Sequence, residues 1–355
     1  MSRAGRAGAL GGLLGLVATG AAVGLVAERY AVGRTRLRPD PDAEQPFFAL
    51  PADRVRIVVA DDGVPLHVEE VGPQGPLTVV FCHGYTQEMA AWHYQRQALA
   101  ADAPGRLVFW DQRSHGRSGR SAPERSTIDQ LGYDLAAVLT ATAPSGPVVL
   151  VGHSMGGMTI MALADRHPEL FGDRVAGVAL ISTSAGKLSE LTFGLPATLT
   201  PVTRRVLPYV TRGMRRRPSR FERSRRLGTD LAFVVARRFA FGSGDVSPSV
   251  VEFVEKMTAE CPVDVIAEFY ETFTSHDKLA ALPVLRDIPV VVLVGSRDRM
   301  TPEDHSRAMA EALPGAELVV VEGAGHMVQL EQPDLVTEQL RRLVQRVGAA
   351  GRPRP

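Results

Sequence analysis

The sequence predicts an α/β protein: a mostly parallel, eight-stranded sheet flanked by helices and interrupted by an inserted helical segment. Three observations predict it. Short apolar runs of strand length alternate with helical stretches over much of the 355-residue chain. That alternation stops at Gly186 and resumes only after Ala281. A serine between two glycines, in Gly152-His153-Ser154-Met155-Gly156, falls where an apolar run gives way to a helical stretch.

Composition fits an ordinary globular protein, with 45% hydrophobic and 22% charged residues. A net charge of +1 gives no global pull toward nucleic acid. Of the 40 basic residues only Lys187, Lys256 and Lys278 are lysines. That skew reads as GC-rich coding, so single arginines carry little meaning. Two cysteines, Cys82 and Cys261, make no disulfide framework.

Gly8–Ala27 is uncharged and about long enough to cross a bilayer. It reads as a membrane anchor; the alternatives are a cleaved signal peptide and a helix packed on the domain. The arginines after it outnumber those before it, which leans toward a cytoplasmic domain. Arg38–Pro46, rich in Pro and acids, reads as a linker.

Arg54–Ala60 and Val64–Val71 alternate around Asp61-Asp62-Gly63, a hairpin pattern. Leu77–Cys82 is continuously apolar, as in a strand buried on both faces. It ends in His83-Gly84-Tyr85, a loop able to offer a backbone N–H, assigned to Tyr85. His83 is expected to orient this loop. Met89–Ala101 is helical in spacing. Leu107–Trp110 is a strand followed by Asp111–Ser118, a polar loop expected to hold itself together. Ile128–Thr142 is a helix capped by Ser126 or Thr127. Pro147–Val151 is the strand before Ser154, and Val175–Ile181 the strand after the next helix.

From Gly186 to Ala281 no convincing buried strand appears, and eight of the thirteen Phe fall there. This stretch reads as a helical lid whose aromatics line an apolar pocket or pack the lid itself. Arg204–Arg238 is arginine-rich, either a membrane-docking face or a solvated one. The sheet resumes at Pro289–Val294, followed by Asp298 and a helix beginning at Pro302. Glu317–Val321 is the last strand, followed by His326, and a helix runs from about Pro333 to Val347. The organisation is therefore 1–46 as anchor or signal segment plus linker, 47–185 and 282–348 as the two parts of the core, 186–281 as the lid, and 349–355 as a tail.

In an open parallel sheet, ligands gather beyond the carboxyl ends of the strands. Ser154, Asp298 and His326 each follow a strand there. A serine hydroxyl needs a base to take its proton, and His326 suits that task. Asp298 would hold the imidazole in one tautomer and stabilise its cation. The N–H groups of Tyr85 and Met155 would bind the oxyanion. Rival acids Asp287 and Asp304 sit before a strand and within a helix; rival bases His276 and His305 sit in the lid and in a helix. The order Ser, Asp, His is the order this elbow fold requires.

On these pieces the chain from about Val55 to Val347 resembles an α/β-hydrolase of the serine esterase and lipase group. The matching stretches are His83-Gly84, Asp111–Ser118, Gly152–Gly157, Gly295–Pro302 and Gly323–His326. The resemblance implies Ser154 as nucleophile, Asp298 as acid, His326 as base, and Tyr85 and Met155 as oxyanion donors. No cofactor and no metal are expected, since no H-E-x-x-H, phosphate-binding loop or G-x-G-x-x-G in a strand–helix context is found. The expected activity is hydrolysis of a small-molecule or lipid ester at a membrane held through residues 8–27, with no nucleic-acid partner. The same residues could serve thioester cleavage, acyl transfer, perhydrolysis or carbon–carbon cleavage, and a ligand receptor on this fold is the non-enzyme alternative.

Overall fold

The structure, a computed structural model, describes residues 38–102, 105–188, 209, 211–219, 221–222, 237–243 and 245–350. One sheet contains β1 (Arg54–Val59), β2 (Pro65–Val71), β3 (Thr78–Cys82), β4 (Arg106–Trp110), β5 (Val148–His153), β6 (Val175–Ile181), β7 (Val290–Gly295) and β8 (Glu317–Val321). Their spatial order is β1-β2-β4-β3-β5-β6-β7-β8. The pairs β1–β2 and β2–β4 are antiparallel, and the rest are parallel. The expected fold class therefore holds: an antiparallel start, then a parallel sheet. Winding reverses at β3, which lies between β4 and β5. Such a reversal opens a crevice at the strands' carboxyl ends.

The helices are α1 (His93–Ala100), α2 (Ile128–Thr142), α3 (Met155–Arg166), α4 (Pro248–Glu260), α5 (Val263–Ser275), α6 (Glu303–Ala312), α7 (Val328–Glu331) and α8 (Pro333–Ala350). Alternate strand residues face opposite layers. Val80, Cys82, Val108, Leu150 and Val292 pack with Leu135 of α2, Ile160 of α3 and Met309 of α6. Val79, Phe81, Phe109, Val151 and Leu293 pack with Leu99 of α1 and with Leu340 and Leu343 of α8. With both faces covered, the central strands β3, β5, β6 and β7 are almost wholly apolar, which is why their runs stand out in the sequence. Thr127 caps α2 by accepting the Gln130 N–H at 3.1 Å. Ser126, the other candidate cap, instead donates to Glu268 of α5.

Three boundaries differ from expectation. The stretch expected as a linker is bound to the domain from Asp40 onward. Asp40 accepts from the N–H and hydroxyl of Ser249, and Asp42 accepts from Tyr94 and Ser247. Phe47 stacks on Phe253 of α4 at 4.3 Å. At the other end α8 continues to Ala350, so the first residues of the expected tail are helical. Met89–Trp92 forms a 3-10 turn before α1 rather than part of one helix.

Residues 8–27 lie outside the described residues. Among the described residues no helix is long and apolar enough to cross a membrane. The segment expected as a lid is also only partly described. Within it stand helical residues at 211–216 and 237–240, then α4 and α5. Most of the arginine-rich stretch lies outside the described residues. Cys82 and Cys261 are both buried thiols, not joined in a disulfide.

Candidate active site

Ser154 stands between β5 and α3 with φ 52° and ψ −117°. A non-glycine residue rarely adopts positive φ. Packing enforces it here. A Cβ on Gly152 would lie 2.5 Å from the Gly156 carbonyl oxygen, and one on Gly156 would lie 2.1 Å from the Cys82 carbonyl oxygen. Both flanking glycines are therefore required by close backbone approach. The Ser154 N–H donates to the Ile181 carbonyl at 2.9 Å, and Thr183 Oγ1 donates to the Ser154 carbonyl at 2.7 Å. The turn is thus fixed to β6 on one side and to the end of β3 on the other.

The close approach of Gly156 to Cys82 and His83 brings the start of α3 against the loop bearing Tyr85. Among the described residues, the N–H groups of Tyr85 and Met155 have no hydrogen-bond partner. Two unpaired donors beside a strained serine suit a developing oxyanion. His83 Nδ1 meets the Gly84 carbonyl at 2.8 Å, and its Nε2 accepts the Gln112 N–H at 2.9 Å. Gln112 Nε2 also donates to the His83 carbonyl at 2.6 Å. His83 is thus spent on holding this loop. Burial, then the neighbouring His115, push its pKa down to about 3, so it stays neutral. Tyr85 reaches α5, where its hydroxyl donates to the Ile266 carbonyl.

Asp298 and His326 meet across the loops after β7 and β8. His326 Nδ1 lies 2.9 Å from Asp298 Oδ2. That carboxylate also accepts the N–H groups of Met300 at 2.8 Å and Thr301 at 2.9 Å, and the Thr301 hydroxyl at 2.9 Å. Burial alone would raise its pKa. The adjacent His326 ring and these donors outweigh that and hold it below the ordinary carboxylate value. With Nδ1 on Asp298, Nε2 is the ring nitrogen left for proton transfer.

No hydrogen bond joins Ser154 Oγ to His326 among the described residues. Their proximity runs through His153, the residue before the serine. His153 Nε2 lies 2.9 Å from the His326 carbonyl oxygen, and the two rings are 4.9 Å apart. Burial, then His326, push the His153 pKa down to about 3, so it is neutral and Nε2 carries the donated proton. Ser154 is 7% exposed and His326 3%.

The rival groups lie elsewhere. Asp111 accepts the N–H groups of Met89 and Arg117 and braces its own loop. Arg113, fully buried, forms paired hydrogen bonds with Asp134 and Asp62. His276 Nε2 meets the Ser184 carbonyl, and His305 Nδ1 the Ser184 hydroxyl. Sequence reasoning missed His153, Thr301 and Gln112, whose roles come from folding. Among the described residues no cluster of His, Cys, Asp or Glu is placed to share a metal ion.

Met155 is packed in a buried apolar cluster with Met158, Val265 and Phe269, and the partly buried Tyr85, Ile266 and Phe273 pack against it. Leu188 also joins it.

Comparison with known proteins agrees with this architecture. A family model described as alpha/beta hydrolase fold matches residues 78–333. The chain is 28% identical over 284 residues to the dihydrolipoyllysine-residue acetyltransferase component of the acetoin cleaving system of Pseudomonas putida, covering 76% of this chain and 64% of that one. It is 40% identical over 118 residues to Lipase LipV of Mycobacterium tuberculosis, covering 33% of this chain and 41% of that one. The chain thus spans less than two thirds of the length of either relative. Among solved structures, a thermophilic esterase from Thermogutta terrifontis superposes with a TM-score of 0.64 at 25% identity, covering 83% of this chain and 99% of that one.

Proposed function

The chain belongs to the alpha/beta hydrolase fold family, and from that premise we propose that it is a serine hydrolase cleaving a carboxylic ester through an acyl-enzyme on Ser154. The observation that carries this reading is the buried Asp298–His326 hydrogen bond at 2.9 Å, with the His326 carbonyl tied to the residue preceding Ser154. In the proposed reaction His326 Nε2 takes the Ser154 hydroxyl proton as Oγ attacks the ester carbonyl. Asp298 stabilises the imidazolium. The Tyr85 and Met155 N–H groups hold the oxyanion, worth about 3 kcal/mol per donor in comparable sites. His326 returns the proton to the departing alcohol. A water, deprotonated by the same ring, then releases the acid and restores the serine. Contacts between nucleophile and base are often loose before substrate binds and tighten in the complex.

The partly buried Tyr85, Ile266 and Phe273, packed against the cluster around Met155, favour an apolar acyl group as substrate. Lipase LipV and the Thermogutta esterase are named for ester or lipid cleavage, which supports the same class. Attachment to a membrane through residues 8–27, and closure of the site by the inserted segment, belong to the same proposal. Cell fractionation tests the attachment: full-length protein found wholly in the soluble fraction overturns it.

The test of the reaction is a panel of p-nitrophenyl esters of rising acyl length, with Ser154→Ala and His326→Ala as controls. Turnover that rises with chain length and is lost in both variants is expected. Preference for acetate removes the apolar-acyl reading. Turnover that survives Ser154→Ala removes the acyl-enzyme. No turnover of any ester, with Ser154 still labelled by an organophosphonate, points to acyl transfer or carbon–carbon cleavage.

A further inference from the structure

Glu331, the last residue of α7, is not part of the constellation above, yet its carboxylate gathers three backbone N–H groups from two distant stretches of chain. Oε2 accepts from Gly325 at 2.7 Å and from Gly242 at 3.1 Å, and Oε1 accepts from Ser243 at 2.5 Å. Gly325 immediately precedes His326. Gly242 and Ser243 belong to the middle of the inserted segment, just before α4. The two backbones touch with no side chain between them. A Cβ on Gly325 would lie 2.3 Å from the Gly242 nitrogen, and one on Gly242 would lie 2.6 Å from the Gly323 oxygen.

Further bonds run along the same seam. The Met327 N–H donates to the Ala240 carbonyl at 2.8 Å. From the loop that carries Asp298, Arg297 donates to the Gly242 carbonyl at 3.3 Å and Arg299 to the Arg238 carbonyl at 2.9 Å. Residues 238–243 therefore splint both loops that present the Asp298–His326 pair. Glu331 is the clamp closing that splint on the histidine side.

We infer that Glu331 is a positioning residue for His326, and that it couples the seating of the inserted segment to the presentation of the imidazole. The inference rests on the reading of His326 as the base. The residue type matters. A carboxylate only accepts, so both its oxygens can face N–H groups. A glutamine in its place must turn an NH2 toward at least one N–H. An alanine frees all three donors, and the Gly325–His326 peptide can then shift. Small misplacement of a reacting group costs on the order of 10²-fold in rate.

The experiment compares Glu331→Ala, Glu331→Gln and Glu331→Asp in the full chain, alongside Ser154→Ala and His326→Ala. Two quantities are read: the kcat and KM split on the best ester, and the NMR signal of the His326 Nδ1–H proton, assigned by its loss in His326→Ala. The expected result is kcat down about 100-fold in Glu331→Ala and about 10-fold in Glu331→Gln, with KM within about threefold. The Nδ1–H signal shifts or broadens in both. Should Glu331→Ala fail to fold, Glu331→Gln and Glu331→Asp carry the test, their folding checked by melting temperature. Folded variants with wild-type kcat and an unmoved Nδ1–H signal overturn the inference, as does a lower melting temperature with kcat unchanged. Failure of the catalytic reading looks different: Ser154→Ala and His326→Ala then keep their turnover, while the proton signal still reports whether Glu331 holds the ring.

Discussion

Asp111 and Asp298 occupy equivalent places at opposite sides of the winding reversal. Each follows a parallel strand at its carboxyl end, each is buried, and each accepts two backbone N–H groups from its own surroundings. They differ in the further partner. Asp298 meets an imidazole at 2.9 Å. Asp111 instead has the exposed Arg117, whose Nε lies 3.9 Å away, and the charge of His67. Their acidities diverge accordingly. Burial raises the Asp111 pKa above the ordinary value, and its N–H donors and Arg117 do not cancel it. Burial acts on Asp298 in the same direction, but His326 and the N–H donors outweigh it. The lesson is that a buried carboxylate at a strand end is a loop brace by default, and a neighbouring imidazole changes its role.

Substitution by Asn separates the two most sharply. Asp298→Asn is expected to lower kcat by about 10⁴, the scale seen when a triad acid is made neutral and the histidine tautomer is lost. Its melting temperature should fall as well, because the Met300, Thr301 and His326 donors are held by the ionised carboxylate. Asp111→Asn should leave kcat within a few-fold and cost about 2 kcal/mol of stability, because one charge-assisted hydrogen bond becomes an N–H facing an N–H. Ester kinetics with thermal melts reads both. Comparable kcat losses in the two variants would erase the distinction.

A smaller effect per group comes from the histidines around the two aspartates. Burial, with lesser help from neighbours, pushes His83 and His153 down to about 3 and His115 to about 4. Each has a folded pKa below its unfolded one, so its contribution is full above about pH 6.5 and is lost as pH falls toward the folded value. Within that window each adds a slope of about 1.4 kcal/mol per pH unit. Urea unfolding at pH 7, 6 and 5 should show stability falling steeply, and a flat profile would mean these rings are charged in the fold.

Smallest is Glu88. Burial first, then the charge of Asp111, raise its pKa to about 7. Its protonated form therefore stabilises the fold below the unfolded value of 4.5, and that contribution disappears as pH rises through 7. Glu88→Gln should gain on the order of 1 kcal/mol at pH 8, once screening at this partly buried site is allowed for, and nothing at pH 4. The gain should shrink in an Asp111→Asn background, which reports the Asp111 charge directly.

The middle of the sheet was legible because burial on both faces makes its strands nearly unbroken apolar runs, such as Leu77–Cys82 and Pro289–Val294. The elbow was legible because close backbone approach at Gly152 and Gly156 admits no other residue. The histidine's supports were not. His153 reads as an arbitrary residue inside the elbow, and its bond to the His326 carbonyl spans 173 positions. Glu331 looks like one acid in a turn. The stretch Arg38–Pro46 looks like a linker because its composition is acidic and Pro-rich, while its anchors Ser247 and Ser249 come some two hundred residues later. Local patterns encode elements; contacts between distant polar groups leave no periodic trace.

The serine's backbone carries a final consequence. At φ 52° and ψ −117° a side chain is a liability that glycine would not have. Ser154→Gly should therefore be inert yet melt at a higher temperature than the parent, by the equivalent of about 1–3 kcal/mol. On the proposed reading, laboratory selection for heat resistance alone would drift toward discarding the proposed nucleophile, so screens for hardier variants need turnover as a second criterion.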